Sequence, residues 1–272
     1  MTRVIPLLEN TAAAPQYRKK HGLCLFIETD AHKLLFDVGP NALFLKNAKT
    51  LGVDVAAVDT AILSHGHCDH TGGLRAFLNE NDTAKIYLRS TAREPHYVKV
   101  MGVPFFAGMR VTSSKRFVFT DALTRIDETL ALFSDVAPRT PLPASDQKLF
   151  VKTDGRIVRD DFRHEQNLIL RADGKTILFT GCAHAGIVNI AETARRLFGR
   201  IDAIVGGFHL YDPPTGRYES EEYIQKTALA LQKTGAECYA CHCTGRTAIE
   251  QMRPILGGKL HEISTGSVLQ WD

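Results

Sequence analysis

Hydrophobic positions recur along the chain in two spacings, which predict where strands and helices lie. Residues 4–9, 23–29 and 33–39 are short apolar or alternating runs that are rich in strand formers and separated by polar turns. These runs predict three strands of one sheet. A helical period follows over residues 42–52 and ends at Gly52, a residue type that commonly terminates helices.

The alternation of strand and helix continues through the next forty residues. Residues 58–64 predict a buried strand that ends at His65, residues 74–80 predict a helix, and residues 85–90 predict another strand. This order is typical of α/β proteins. The segment 64–73 is therefore predicted to lie in a strand-to-helix turn.

A similar alternation returns in the last third of the chain. Residues 167–181 predict two strands around an Asp-Gly turn, which is a strong hairpin signal. A helix is expected from about Ala185 to Phe198. Further strands are expected over 201–207 and 237–241, and further helices over 221–233 and 247–254.

Between about residues 91 and 160 the periodicity weakens. Prolines concentrate at 137–144, and only 115–120 and scattered pieces suggest strands. We predict an insertion or cap at about 91–160 within a single domain that spans 1–272. The apolar run 103–109 needs a partner, which is either the main fold or a second subunit, so a homodimer is one expectation.

Composition narrows the expected partners to small molecules. The net charge of +3 is small and the basic residues are scattered, so no nucleic-acid surface is indicated. No apolar run is long enough for a membrane span or a signal peptide, and neither membrane binding nor secretion is expected. Six cysteines in 272 residues are too sparse for a disulfide scaffold. We therefore expect a cytoplasmic protein with reduced thiols and a small-molecule substrate.

The segment 64–73 reads S-H-G-H-C-D-H-T-G-G and brings His65, His67, Asp69 and His70 close together. Imidazole suits zinc, iron and related metals, and a carboxylate adds an anionic ligand. Two histidines separated by one residue can hold one ion, and the following Asp-His pair can hold a second. The cluster predicts a site for two divalent transition-metal ions, with zinc preferred and iron or manganese as alternatives.

This motif resembles the His-x-His-x-Asp-His signature of the metallo-β-lactamase superfamily. Further segments look like the superfamily branch called dihydropterin-ribofuranosylaminobenzene-phosphate synthase-like, namely 23–29, 33–39, 179–189, 205–210 and 242–245. The resemblance implies an α/β fold, more narrowly a four-layer αββα sandwich of two mixed β-sheets with helices outside. It also implies a metal site along one edge of the sheets.

The resemblance places the remaining metal ligands at later strand ends. Where the superfamily has a bridging aspartate this chain has Cys182, whose thiolate binds zinc but bridges hard ions less readily. His184 could replace or supplement Cys182, and His242 fits the last ligand position. His164 precedes a predicted hairpin, as the superfamily's third ligand does, so Cys182, His184 and His164 all stay open as residues that complete the site. The other histidines are expected to be structural or exposed, namely His21, His32, His96 and His261.

The predicted site favours hydrolysis. A metal-bound hydroxide would attack a small-molecule ester, lactone or phosphodiester, and Asp69 would hold a metal and orient this nucleophile. The branch suggests a phosphorylated pterin-like compound as one substrate. His209 is expected to face the substrate at a strand end, and Thr244 and Arg246, at the start of a helix, could receive an anionic group.

Two other functions stay open. One is a metal-dependent oxidoreductase, but flavin-partnered diiron members of the superfamily usually carry Glu where this chain has His67, and no flavodoxin-like domain follows Asp272. The other is a non-catalytic ligand-binding or sensor module that uses the same pocket without turnover.

Overall fold

The computed structural model describes residues 1–272, which form twenty β-strands and six α-helices. The strands are, in chain order, β1 Thr2–Leu8, β2 Cys24–Glu28, β3 Lys33–Phe36, β4 Thr60–Ile62, β5 Lys85–Leu88, β6 His96–Val100, β7 Val103–Phe106, β8 Phe117–Phe119, β9 Leu123–Arg125, β10 Leu130–Ser134, β11 Leu149–Thr153, β12 Arg156–Arg159, β13 Gln166–Ala172, β14 Lys175–Thr180, β15 Ala203–Gly207, β16 Tyr211–Asp212, β17 Arg217–Tyr218, β18 Glu237–Cys241, β19 Leu260–Glu262 and β20 Leu269–Trp271. The helices are α1 Leu43–Leu51, α2 Cys68–Thr71, α3 Leu74–Glu80, α4 Ile187–Phe198, α5 Glu221–Thr234 and α6 Arg246–Leu256. None of these helices has the length and apolar character that crossing a bilayer requires.

Two seven-stranded sheets form the centre of the molecule, in the orders β20-β1-β2-β3-β4-β5-β8 and β19-β18-β15-β14-β13-β10-β9. The strands from β3 to β8 in the first sheet run parallel, as do those from β14 to β19 in the second. The remaining pairs are antiparallel. Both sheets are therefore mixed, and each has a parallel half whose strand ends can form a site.

Alternation of apolar side chains places a core on both faces of each sheet. On β2, Phe26 packs beneath α1 and α3, whereas its neighbour Leu25 packs between the two sheets. On β14, Leu178 packs beneath α4 to α6, and Phe179 joins the core between the sheets. Each such side chain contributes about 1.5–3 kcal/mol when fully buried. Three cores thus separate four layers, which confirms the predicted αββα sandwich.

Local turn chemistry agrees with the predicted elements. The Asp173-Gly174 turn between β13 and β14 has φ values of 51° and 66°, both positive, as a type I′ hairpin turn requires. Gly52 ends α1 with a left-handed φ of 69°. The histidine motif begins after β4, with His65 and His67 in the turn, and continues into the short helix α2, which contains Asp69 and His70.

The stretch predicted as an insertion or cap contains two kinds of structure. Its middle part supplies β8 to the first sheet and β9 and β10 to the second. Its flanks form a separate sheet in the order β12-β11-β6-β7, and Val98 and Leu149 of this sheet line the cavity at the candidate site. The apolar side chains of β7 are about half exposed, so the main fold does not cover them, and a second subunit stays a prediction.

Candidate metal centre

The candidate ligands lie in loops at the carboxyl ends of parallel strands. His65 follows β4, Cys182 follows β14 and His242 follows β18. Because parallel strands end at a common edge of a sheet, residues far apart in sequence meet there. His70 and Cys182, for example, are 112 positions apart and lie in contact.

The first ligand group consists of Asp69, His70, Cys182 and His242. His70 Nε2 lies 3.0 Å from His242 Nε2 and 3.2 Å from Cys182 Sγ. Cys182 Sγ lies 3.4 Å from His242 Nε2, and Asp69 Oδ2 lies 3.5 and 3.4 Å from the nitrogens of His70 and His242. Donor atoms held by one tetrahedral zinc ion at about 2.0–2.3 Å lie roughly 3.3–3.7 Å apart. The spacing of the group fits one ion.

Hydrogen bonds behind the two histidines determine which nitrogen faces the group. His70 Nδ1 lies 2.6 Å from Asp37 Oδ2, and His242 Nδ1 lies 3.1 Å from Asn10 Oδ1. Because both partners are acceptors, each Nδ1 donates, and the Nε2 of a neutral ring then carries a lone pair. At 3.0 Å, a proton on His70 Nε2 satisfies the contact with the lone pair of His242 Nε2 in the metal-free protein, and a metal ion would replace that proton. The donor set therefore fits a metal ion.

The second ligand group consists of His65, Cys182 and His184. The Nε2 atoms of His65 and His184 are buried without a hydrogen-bond partner. Their Nδ1 atoms are held, at 2.8 Å from Ser64 Oγ and 2.7 Å from Asp146 Oδ1 respectively. A buried polar atom without a partner costs about 1–3 kcal/mol, and one ion between the two nitrogens would satisfy both. This group also fits a metal.

His67 lies beside the second group. Its ring centroid is 4.7 Å from that of His65 and 4.9 Å from that of His184. The ring lines the cavity, and its Nε2 is buried without a partner. His65, His67 and His184 thus lie side by side, while Asp69 and His70 belong to the first group, and the division of the motif between two ions stays a prediction.

Cys182 belongs to both ligand groups, so its sulfur is placed to be shared by two ions. Burial raises the pKa of its thiol, and a bound metal reverses this effect because coordination deprotonates sulfur. The loop reaches the site because residue 181 is glycine. A β-carbon at Gly181 would lie 2.1 Å from Ser64 Oγ.

Asp37 supports both groups and is a residue that sequence reasoning missed. Its buried carboxylate accepts hydrogen bonds from His70 Nδ1 at 2.6 Å and from the backbone N and Oγ of Ser64, each at 2.7 Å. Ser64 Oγ in turn lies 2.8 Å from His65 Nδ1. One carboxylate therefore orients a histidine in each group. The signal that could have found it is an aspartate directly after the apolar strand β3.

Charge differs between the two groups. Burial lowers the pKa of His70, but the carboxylates of Asp69 and Asp37 outweigh this effect and raise it to about 9. Burial would raise the pKa of Asp69, but His70 holds it well below its usual range. Burial and the neighbouring imidazoles lower the pKa values of His65 and His67 well below normal. The first group thus pairs the Asp69 carboxylate with a His70 ring whose proton a metal ion would have to displace, and the second offers neutral imidazoles, the form that binds metals.

A separate histidine cluster consists of His96, Asp160 and His164, with His67 within reach of it. His164 Nδ1 accepts a hydrogen bond from Gly66 N at 3.0 Å, and its Nε2 lies 3.2 Å from Asp160 Oδ2. His96 Nδ1 lies 2.8 Å from the same oxygen. His164 thus lies outside the two ligand groups, with both ring nitrogens hydrogen-bonded. His96, expected to be structural or exposed, is completely buried.

The three residues predicted to bind substrate lie in different places. His209 lines the cavity, with Nε2 3.1 Å from Asp146 Oδ1. Thr244 is buried and accepts a hydrogen bond from Phe208 N at 3.1 Å. Arg246 is exposed, with Nε 3.0 Å from Glu250 Oε1, and lines another cavity. The structure brings His209 to the ligand groups but not Arg246, and the binding roles stay predictions.

The ligand groups open into a cavity of about 270 Å³. Val98 and Leu149 of the small sheet and Pro213 and Pro214 of the loop between β16 and β17 form apolar parts of its wall, and Lys148 adds a cation. The cavity can therefore receive a small molecule with an apolar portion directly above the ligand groups.

Comparison with known proteins gives a consistent picture. The family model of the metallo-beta-lactamase superfamily matches residues 18–215. A crystal structure described as a metal-dependent hydrolase of the beta-lactamase superfamily is similar with a TM-score of 0.86 and 28% sequence identity, and the match covers 100% of both chains.

Two relatives come from Methanocaldococcus jannaschii. An uncharacterized protein is 27% identical over 253 residues, which cover 92% of this chain and 93% of the relative. A protein named 7,8-dihydropterin-6-methyl-4-(beta-D-ribofuranosyl)-aminobenzene-5'-phosphate synthase is 26% identical over 278 residues, which cover 93% of this chain and 90% of the relative. The similarity extends well beyond the histidine motif.

Proposed function

The chain belongs to the metallo-β-lactamase superfamily, and from this premise we propose that it is a dinuclear metal-dependent hydrolase. The proposed substrate is a small-molecule ester, lactone or phosphodiester. The observation that carries the proposal is a pair of ligand groups that share Cys182 and open into one cavity. Two adjacent metal positions are the arrangement that hydrolytic two-metal sites use.

The residues of the chain divide between two ions. In this proposal His65, His67 and His184 would hold one ion, Asp69, His70 and His242 would hold the other, and Cys182 belongs to both groups of donor atoms. When bound, such ions supply Lewis acidity to a substrate oxygen and make a hydroxide nucleophile available near neutral pH. Zinc suits the set best because thiolate and imidazole are among its preferred ligands, with iron and manganese as alternatives.

The surrounding residues hold the ligands in place and shape the reaction space. Asp37 and Asp146 accept hydrogen bonds from Nδ1 of His70 and His184, which leaves each Nε2 free to bind. Asp69 lies where its carboxylate can hold an ion and orient the nucleophile, and His209 in the cavity wall can contact the substrate. The apolar wall restricts water, which strengthens electrostatic interactions inside the cavity.

The named relative suggests a narrower substrate. Its name describes the synthesis of a phosphorylated pterin derivative, which supports a phosphorylated pterin-like compound as a candidate substrate here. A synthase reaction of that kind is the second candidate function, because the similarity to this relative spans nearly the whole chain.

The test is turnover by purified protein loaded with zinc, manganese or iron on a generic carboxylic ester, a lactone and a phosphodiester. We expect turnover of at least one class, and we expect His184→Ala to abolish it while His261→Ala, at a site remote from the ligand groups, retains it. If none of the substrates reacts with any metal while a small molecule binds tightly to the loaded protein, the chain is a binding or sensor module and the hydrolase proposal is wrong.

A further inference from the structure

A second cavity adjoins the metal cavity. Its volume is about 420 Å³, and three residues line both spaces, namely Ser145, Lys148 and Asp212. The two spaces therefore meet at these residues, so a molecule at the ligand groups lies next to the second space.

Two cations of the second cavity lack acidic partners. Arg159 at the end of β12 and Arg217 on β17 line this space and form no ion pair. Lys148, in contrast, is paired with Asp212. Unpaired arginines that face a cavity are suited to carboxylate or phosphate, because the guanidinium offers several donors in a planar fork.

The acidic residues of this cavity, Asp212 and Glu219, contact groups other than the arginines. Asp212 lies directly opposite Arg217 in the β16–β17 pair, yet its carboxylate is occupied by Lys148 and by the Thr215 hydroxyl. Both carboxylate oxygens of Glu219 accept backbone N–H groups, from Ala144 at 3.0 Å and Ser145 at 2.9 Å. Both contacts of Asp212 use Oδ2, and neither acid forms an ion pair with an arginine. The lining therefore carries three cations against two anions, a net charge of +1.

Ser145 supplies an independent observation at the junction of the two cavities. Its Oγ is buried and has no hydrogen-bond partner. A buried hydroxyl without a partner is costly, and a ligand oxygen that passes between the cavities would satisfy it. The junction thus has an unpaired polar atom and the second cavity has two unpaired cations.

We propose that the second cavity is an anion subsite, in which Arg159 and Arg217 hold a phosphate or carboxylate group of the substrate and Ser145 Oγ binds it near the junction. The inference rests on the proposed function, since it assumes that the reacting bond lies at the ligand groups. Pro213 and Pro214 line the cavity at the ligand groups and offer an apolar surface to a ring. The substrate class is therefore a ring compound that carries an oxyanion away from the bond that reacts.

The experiment compares three aryl esters with the metal-loaded protein: phenyl acetate, 4-acetoxybenzoate and 4-acetoxyphenyl phosphate. We expect kcat/KM to favour one or both anionic esters over phenyl acetate by roughly tenfold or more, as one charge-assisted hydrogen bond allows. The double variant Arg159→Ala with Arg217→Ala should lose this preference. Arg156→Ala, on the same strand but outside the cavity lining, should keep the preference for anionic esters. Which anionic ester is preferred shows whether the subsite binds phosphate or carboxylate.

A binding measurement separates failure of the subsite from failure of the proposed hydrolysis. Titration calorimetry with 4-hydroxybenzoate and 4-hydroxyphenyl phosphate should give dissociation constants at least roughly tenfold weaker in the double variant than in Arg156→Ala, even if no ester is hydrolysed. Equal dissociation constants in the two variants, or an anion preference that survives the double substitution, would overturn the anion subsite.

Discussion

Two buried histidine clusters lie side by side in this protein and differ in how their nitrogens are satisfied. In the cluster of His96, Asp160 and His164, Asp160 Oδ2 lies within hydrogen-bond distance of His96 Nδ1 and His164 Nε2. The Gly66 backbone N–H donates to His164 Nδ1. In the ligand groups, the Nε2 atoms of His65 and His184 have no partner. The two clusters therefore contain similar residue types but differ in whether the buried ring nitrogens have hydrogen-bond partners.

The comparison shows what identifies a metal site. Proximity of histidines and a carboxylate is common to both clusters. The ligand groups differ because a histidine whose Nδ1 donates to an outer acceptor directs its Nε2 toward the other donor atoms of the group. We infer that the ligand groups bind metal and that the His96 cluster is held by its own hydrogen bonds.

The largest expected effect comes from removing one ligand from each group. The double variant His184→Ala with His242→Ala should lose nearly all bound metal, because losing a ligand should cost more than the roughly 10–100-fold that losing an outer partner costs. Elemental analysis after metal loading and gel filtration measures it, with His261→Ala as the control. Full metal content in the double variant would rule out the assigned ligand groups.

The next effect concerns Asp37, which orients a histidine in each group. Asp37→Ala should weaken the binding of both ions by about 10–100-fold, because His70 loses its acceptor and Ser64, the partner of His65, loses the carboxylate that holds its hydroxyl. Competition with a chromophoric chelator measures both affinities. Asp37→Asn keeps an acceptor oxygen, so its metal affinities should lie between those of Asp37→Ala and the wild type. A loss of affinity for only one ion would refute the role of Asp37 in both groups.

Replacing the acceptor of the other cluster should affect folding more than metal binding. Asp160→Asn keeps one oxygen but adds a donor beside two imidazoles, so unfolding in denaturant should require about 1–3 kcal/mol less free energy. Metal affinity should change less than in Asp37→Ala. A variant that keeps its stability and loses an ion would instead make the His96 cluster a metal site.

The smallest effect is the response of that cluster to acid. Burial lowers the pKa of His164 to about 4 from 6.5, despite the opposing effect of Asp160. Between these values the unfolded chain binds a proton that the folded protein does not, so this residue lowers stability as the pH falls from 6.5 toward 4.

In metal-free protein the loss from His164 should be about 1 kcal/mol between about pH 6.5 and 5.5. The free energy of unfolding of wild type and His164→Gln, measured at both pH values, isolates this contribution. Glutamine can accept from Gly66 N and donate to Asp160 without titrating. Identical pH dependence in the two proteins would contradict the neutral, buried state of His164.

Sequence patterns predicted the parts of this protein that depend on local order. The period-two runs predicted β1 to β3, and the Asp173-Gly174 turn predicted the hairpin because two positive φ values need such residues. The spacing from His65 to His70 also predicts two metal positions, because the His65–His67 pair and the Asp69–His70 pair lie in one short segment, and this number of ions stays a prediction.

The partners of these residues could not be predicted in the same way. Asp37 and Asp146 precede their histidines by more than thirty positions. Asp37 meets His70 because β3 and β4 pair in parallel, and Asp146 meets His184 because the stretch before β11 packs near the end of β14. Arg246 was singled out because it opens a helix, but its neighbour Glu250 one turn later pairs with it. Arg159 and Arg217 lie on two short strands that are far apart in the sequence, and no local pattern connects them.

The number of metal ions per chain tests the central claim most directly. Metal-free protein is loaded with zinc, freed of excess by gel filtration, and analysed for zinc and protein concentration. Two ligand groups that share Cys182 predict two equivalents per chain, and Cys182→Ala should lower this number. A single equivalent in the wild type, or a third that disappears with Asp160→Asn, would contradict the division between ligand groups and hydrogen-bonded cluster.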